Sequence, residues 1–222
     1  MQRSPLYLVD DDASVLDALC FMLEGEGYQP LCFSGAEEFL LFMKQHPPLM
    51  ANDGCLVLDW RMPEMSGQEL QIILNQANSP LAVIFLTAHG DVPMAVESLK
   101  RGAVDFLQKP VDSTSLLQAI KLGQERSLSE LLLRKQLQAY EKLTCRERDI
   151  LRLLFTGKTN NQVAEQCHIA VRTVEVHRAN IMQHLEVSST AEMIRHYAAI
   201  EHYLYLAAPA PVRIRRKKIS GK

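Results

Sequence analysis

Four places in this 222-residue sequence put chemically capable side chains at the end of a short apolar run. Asp10, Asp11 and Asp12 follow Leu6–Val9, Asp59 closes Cys55–Asp59, Thr87 closes Leu81–Thr87, and Lys109 lies just beyond Val104–Leu107. If the runs are parallel strands, their carboxyl ends meet along one edge, where open α/β sheets bind ligands. Clustered carboxylates repel one another, so a divalent cation is the expected relief. Magnesium suits hard oxygen ligands and keeps positions open for phosphate oxygens. A carboxylate beside such an ion can act as a nucleophile and form an acyl phosphate. The metal, the Thr87 hydroxyl and the Lys109 ammonium would balance charge on the transferring phosphoryl oxygens. Each residue alone has a plain alternative: Asp11 or Asp12 as a helix cap, Thr87 as a loop hydroxyl, Lys109 as a solvated charge. Four matching strand ends together make a site the better reading.

The elements that must position these groups are legible as alternation. Strand-like runs at Leu6–Val9, Tyr28–Phe33, Cys55–Asp59, Leu81–Thr87 and Val104–Leu107 recur every 22 to 27 residues. Amphipathic stretches at Ala13–Glu24, Ala36–Met43, Gln68–Asn75 and Val92–Arg101 lie between them, and a fifth helix begins near Ser113. Several runs are apolar throughout, as strands covered on both faces must be. The spacing predicts βα units and a five-stranded, parallel, doubly wound sheet of flavodoxin-like type.

The net charge of -2 conceals two unlike halves. Residues 1–125 hold 7 Lys/Arg against 17 Asp/Glu, and residues 126–222 hold 17 against 9. An acidic half joined to a basic one suggests two tasks, with nucleic acid a natural partner for the second. Five scattered cysteines without a Cys-x-x-Cys pair argue against a disulfide framework or zinc ribbon and for a reducing cytoplasm. No run is long enough to span a bilayer, and the N-terminus lacks the blocks of a secretory signal.

The basic half reads as helices. From Ser113 to Lys142 the only breaker is Gly123. This predicts the last helix of the first domain running into a helical linker at 124–142. Its apolar stripe packs on its own domain before Gly123; beyond it, packing and a dimer seam both stay open. Thr144 with Glu147 three residues later makes a capping box for the next helix, which Gly157 ends. Helices at Asn160–Cys167, Val171–Leu185 and Thr190–Leu206 follow, the shape of an all-α helix-turn-helix domain over 143–206. The tail, 207–222, is rich in proline and then in Arg and Lys, a composition expected to be disordered.

With these residues in view, 4–123 resembles a response-regulator receiver domain. The resemblance rests on Val9-Asp10-Asp11, on Asp59-Trp60-Arg61-Met62-Pro63-Glu64-Met65-Ser66-Gly67, on Thr87-Ala88 and on Lys109-Pro110. It implies that Asp59 takes phosphate from a sensor histidine kinase. It further implies an acid pocket of Asp10 and Asp11, magnesium on Asp11, Asp59 and the Arg61 backbone carbonyl, and a cis Lys109–Pro110 bond. It implies a switch in which Thr87 moves toward the phosphate and Phe106 rotates inward; a plain core role for Phe106 is the alternative. The stretch Thr87-Ala88-His89-Gly90-Asp91-Val92-Pro93-Met94-Ala95-Val96-Glu97 is similar to the FixJ branch, where His89 reads as a loop residue shaping the switch.

Residues 143–197 resemble the LuxR-type output domain of NarL and FixJ regulators. The carriers are Leu143-Thr144-Cys145-Arg146-Glu147-Arg148, Gly157, Asn160-Asn161-Gln162-Val163-Ala164 and Arg172-Thr173-Val174-Glu175-Val176-His177-Arg178. In a helix-turn-helix the second helix enters the major groove. Val174, Ile181 and Leu185 are expected to face the core. Glu175, Val176 and Ala179 are the expected base readers; Thr159, Asn160, Arg172, Thr173 and Arg178 are the expected phosphate contacts. Two positions where the family commonly has glycine hold His168 and Glu186.

The expected protein is a two-domain transcription regulator and not a turnover enzyme. Its expected partners are a histidine kinase, promoter DNA, RNA polymerase and a second copy after phosphorylation. Two rivals stand beside it: a receiver whose helical half binds polymerase as a sigma factor does, and a phosphatase using the acidic site.

Overall fold

The computed structural model describes residues 4–88 and 92–207. His89 and the basic tail lie outside the described residues. The chain divides into two compact units, Met1–Leu132 and Leu133–Lys222.

The first unit is a five-stranded parallel sheet in the order β2-β1-β3-β4-β5. The strands are β1 (Leu6–Val9), β2 (Leu31–Phe33), β3 (Cys55–Asp59), β4 (Ala82–Thr87) and β5 (Asp105–Gln108). The helices are α1 (Ala13–Gly25), α2 (Ala36–Gln45), α3 (Pro47–Met50), α4 (Gly67–Gln76), α5 (Val92–Lys100) and the first part of α6 (Ser113–Glu141). The central strands β1, β3 and β4 are buried along their whole length. Side chains alternate between the faces of a strand, so each central strand feeds two cores. Tyr7, Leu56, Leu58, Val83 and Phe85 join Phe39 and Met43 of α2 and Leu70 and Leu74 of α4. Leu6, Leu8, Val57, Ile84 and Leu86 join Leu19 and Leu23 of α1 and Leu116, Ala119 and Ile120 of α6. The sequence pattern overextended β2 because Tyr28 and Gln29-Pro30 lead into the strand without joining its ladder, which pairs only Leu31 to Phe33 with β1. Pro47–Pro48, expected as a join, opens the short α3; proline's fixed φ and missing N–H suit a first helical turn.

α6 is continuous through the segment expected as a linker, and that segment is not bare. Ser127 Oγ accepts from Gly54 N–H (2.9 Å) and donates to the Pro80 carbonyl (2.7 Å). Gln124 donates to the Ser4 carbonyl, and Leu131 is buried. Further along, Leu133, Leu137 and Tyr140 belong to the core of the second unit. Two of the scattered cysteines meet: the sulfurs of Cys20 and Cys32 are in contact although their Cα atoms are 7.7 Å apart, wider than a relaxed disulfide spans, while Cys55, Cys145 and Cys167 are free. The two partners come from different elements, α1 and β2, so their spacing in sequence carried no signal.

The second unit is helical: the end of α6, α7 (Cys145–Phe155), α8 (Asn160–Cys167), α9 (Val171–His184) and α10 (Thr190–Ala207). Thr144 caps α7 and Thr159 caps α8, each in a reciprocal capping box with the residue three positions on, Glu147 and Gln162. The core gathers Ile150, Leu151, Val163, Val174, Ile181, Met193, Tyr197 and Ile200. No described helix is long and apolar enough to cross a membrane.

Candidate functional site

The strand ends of the first unit converge as the sequence implies. The order places β1 and β3 side by side at the centre of the sheet. The chain turns in opposite directions on leaving them, which opens a crevice above their carboxyl ends. Asp10 leaves β1 and is 2% exposed, and Asp59 closes β3 and is 6% exposed. Asp11 is exposed, yet one carboxylate oxygen from each of Asp10, Asp11 and Asp59 falls within a 4.8 Å group. Three carboxylates that close have the donor chemistry of a hard divalent cation site. Asp12 stands apart from this group. It caps α1, accepting from the Ser14 backbone and hydroxyl, and these bonds hold its carboxyl below the ordinary range.

Lys109 supplies the opposing charge. Its Nζ is 2.5 Å from Asp10 Oδ2 and 2.7 Å from Asp59 Oδ1. Burial pushes the ammonium down, but the hydrogen bonds and charges of Asp10 and Asp59 outweigh it, and its pKa is raised. Burial dominates at Asp10 and raises its pKa despite Lys109. The Lys109 backbone donates to the Thr87 carbonyl (2.7 Å), and the Lys109–Pro110 bond is cis, as the resemblance implied. Thr87 ends β4 and is buried.

The loop after Asp59 is tightly held. Arg61 N–H donates to Asp59 Oδ2 (3.0 Å), and Gly67 N–H donates to the Trp60 carbonyl (3.2 Å). A Cβ on residue 67 would lie 2.3 Å from the Asp59 carbonyl oxygen, a distance no side chain tolerates, so glycine is required there. Trp60 makes a contact to which no role was assigned from the sequence. Its ring meets Phe85 edge-on at 4.9 Å and Phe106 at 5.7 Å. Phe106 is half-buried on β5. Trp60 was visible beside Asp59, but only the register of β4 and β5 shows which aromatic rings it meets.

In the second unit, α9 buries the expected face, while Arg178 and Met182, expected to be exposed, are half-buried. Val174, Ile181 and Leu185 are buried. Arg172, Thr173, Glu175, Val176 and Ala179 are exposed. Val176, at 54%, is a large apolar side chain offered to solvent on the exposed face of α9. Thr159 caps α8. Arg178 is half-buried and bound within the protein, as described below. His168 and Glu186 both adopt left-handed backbone, φ 53° and 55°, so this chain does with side chains what glycine does more cheaply.

A doubly wound unit with acids and a lysine at its strand ends, and a helix-turn-helix unit in the same chain, define a class: a receiver with a DNA-binding output. Residues 6–121 match the family model for the response regulator receiver domain, and residues 141–197 match that for bacterial regulatory proteins of the luxR family. The chain is 43% identical over 192 residues to the tetrathionate response regulatory protein TtrR of Salmonella typhimurium, covering 86% of this chain and 91% of the relative. It is 37% identical over 197 residues to the transcriptional regulatory protein FixJ of Bradyrhizobium diazoefficiens, covering 87% and 94%. Among solved structures it is similar to the response regulator StyR (TM-score 0.63, 38% identity, covering 89% of this chain and 99% of that one). Full-length FixJ from B. japonicum is also similar (TM-score 0.51, 34% identity, covering 91% and 99%). The chain belongs to the two-component response regulators of the FixJ/NarL type: a receiver domain with a LuxR-type, DNA-binding helix-turn-helix that regulates transcription.

Proposed function

We propose that Asp59 is the phosphoacceptor. The observation that carries this is its position: a buried carboxylate closing β3, 2.7 Å from Lys109 and grouped with Asp10 and Asp11. An Asp59 oxygen attacks phosphorus on the phosphohistidine of a sensor kinase. The P–N bond breaks, and the imidazole keeps the electron pair. Asp10, Asp11, Asp59 and the Arg61 carbonyl would hold magnesium, which supplies charge neutralisation at the phosphoryl oxygens. Lys109 exchanges its contact with the Asp59 carboxylate for one with the new phosphoryl group, and the Thr87 hydroxyl donates to another of its oxygens. Phe106 answers the movement of Thr87.

The working parts are a receiver at 4–123, a helical connection at 124–142, the output domain at 143–206 and a basic tail at 207–222. Phosphorylation pairs two copies, and their output domains occupy half-sites about one DNA turn apart. Glu175, Val176 and Ala179 of α9 read bases; Thr159, Asn160, Arg172 and Thr173 contact phosphates. RNA polymerase is the downstream partner and the cytoplasm the setting. The likeness to TtrR makes tetrathionate the first input to test, through a kinase.

Intact-mass measurement after treatment with acetyl phosphate and magnesium tests the acceptor. The wild type should gain one phosphoryl group and Asp59→Ala none. Persistent labelling of the variant would refute the assignment. Repeated release of phosphate from a small ester would favour a phosphatase instead.

A further inference from the structure

We propose that Arg178 is a positioning residue that clamps the reading helix to its two neighbours and thereby sets the face presented to DNA bases. This rests on α9 being the reading helix, and it changes the role expected for Arg178 from phosphate contact to brace.

The buried anchorage of α9 lies along one stripe. Val174, Ile181 and, at the C-cap, Leu185 are buried on it, and the N-cap residue, Ala170, makes no side-chain cap bond. Contacts along a single stripe fix the axis against sliding better than against rolling, and rolling decides which side chains reach a base edge. Arg178 resists that motion. Its Nη1 donates to Asn160 Oδ1 (2.5 Å) and its Nη2 to Thr190 Oγ1 (2.6 Å). One guanidinium therefore joins α9 to the first residue of α8 and the first residue of α10.

Neither acceptor is needed to start its own helix. Thr159 caps α8, and Ser189 Oγ accepts from Glu192 N–H at the start of α10. The side chains of Asn160 and Thr190 are thus available for the cross-link. A cation at two helix N-termini also opposes both helix dipoles, so nonspecific charge attraction does not explain its placement. What the site uses is the rigid fork of arginine, which reaches two acceptors at once; a lysine offers one point charge. The guanidinium also lines a cavity of about 530 Å³ together with Lys158, which makes a direct backbone-phosphate contact the rival role.

The full-length chain, treated with acetyl phosphate, distinguishes the two. One probe is a duplex recovered by the wild type from a random-sequence pool; the other is a mixed-sequence duplex. Arg178→Ala should narrow the affinity ratio between them roughly tenfold, with the salt dependence of mixed-sequence binding unchanged. Thr190→Val, which leaves Arg178 and both caps in place, should narrow the ratio in the same sense. It should add little in the Arg178→Ala background. Arg178→Lys should retain affinity for mixed sequence without restoring the ratio. The proposal is overturned if Arg178→Ala weakens both probes equally and lowers the salt slope by about one, or if Thr190→Val is silent. Failure of the wild type to bind either duplex would remove the reading-helix assignment and the clamp's purpose with it.

Discussion

The ammonium of Lys109 stands 2.7 Å from the carboxylate of Asp59, and the same nitrogen is 2.5 Å from Asp10. A single cation thus balances two buried acids before any phosphate arrives. Lys109→Ala leaves those acids uncompensated and should lower stability by about 3 kcal/mol without divalent cation. Magnesium should recover more stability in the variant than in the wild type, measured by urea melts. Labelling of Asp59 should persist while phosphorylation-driven dimerisation, followed by sedimentation, is lost. Equal magnesium stabilisation of both proteins would contradict the pairing, and unchanged dimerisation would contradict the switch role.

The indole of Trp60 is the sole tryptophan of the chain, and it touches Phe106. If Phe106 rotates on phosphorylation, that contact changes. Tryptophan emission should therefore shift on adding acetyl phosphate and magnesium to the wild type, and stay constant in Asp59→Ala. Phe106→Leu should blunt the response without preventing labelling. A wild-type signal that never moves would argue for Phe106 as a static core residue.

Acidification offers a test of the second unit. Burial works against ionisation of Glu147. Bonds from the Thr144 backbone and hydroxyl, together with the charges of His184 and His177, outweigh it and hold the carboxyl below its ordinary 4.5. A carboxyl whose folded pKa is lowered contributes stability above its unfolded value and loses it as pH falls through the folded one. Thr144→Ala should cost about 1 kcal/mol at neutral pH, and the gap from wild type should narrow below the ordinary carboxyl range, leaving only the part due to the cap bond from Glu147 N–H to the Thr144 hydroxyl. Amide exchange within α7 across that pH range measures it; a gap independent of pH would mean the carboxylate is not involved.

The left-handed backbone of Glu186, φ 55°, closes α9 by letting the Glu186 and Val187 N–H groups donate to the Gln183 and Met182 carbonyls, a turn that glycine makes at lower cost. Glu186→Gly should raise stability by about 1 kcal/mol. Glu186→Ala should not, because alanine carries the same Cβ. Thermal melts of both variants decide it, and equal gains would place the effect in the glutamate side chain instead.

The central strands and the gathering of Asp10, Asp59, Thr87 and Lys109 were legible because both-face burial writes unbroken apolar runs, and parallel order brings their ends to one edge. His168 and Glu186 were legible as oddities because few residues other than glycine suit left-handed turns. Other features were not. The ladder of β2 is shorter than its apolar run because pairing, not hydrophobicity, sets the strand. The Cys20–Cys32 contact, the Ser127 bonds to Gly54 and Pro80, and the Arg178 fork join side chains on different elements, and no local period records them. Trp60 could be seen beside Asp59, but not its contact with Phe106, which depends on register two strands away.

The close approach of Gly67 to the Asp59 carbonyl sets how tightly the loop can fold back on its own strand. A β-carbon at 67 would collide with the end of β3, so any other residue there would pry α4 and the 60–66 loop away from it. The Arg61 N–H that reaches Asp59 Oδ2 belongs to that loop. The absence of a side chain at one position thus governs how firmly a carboxylate eight residues earlier is gripped.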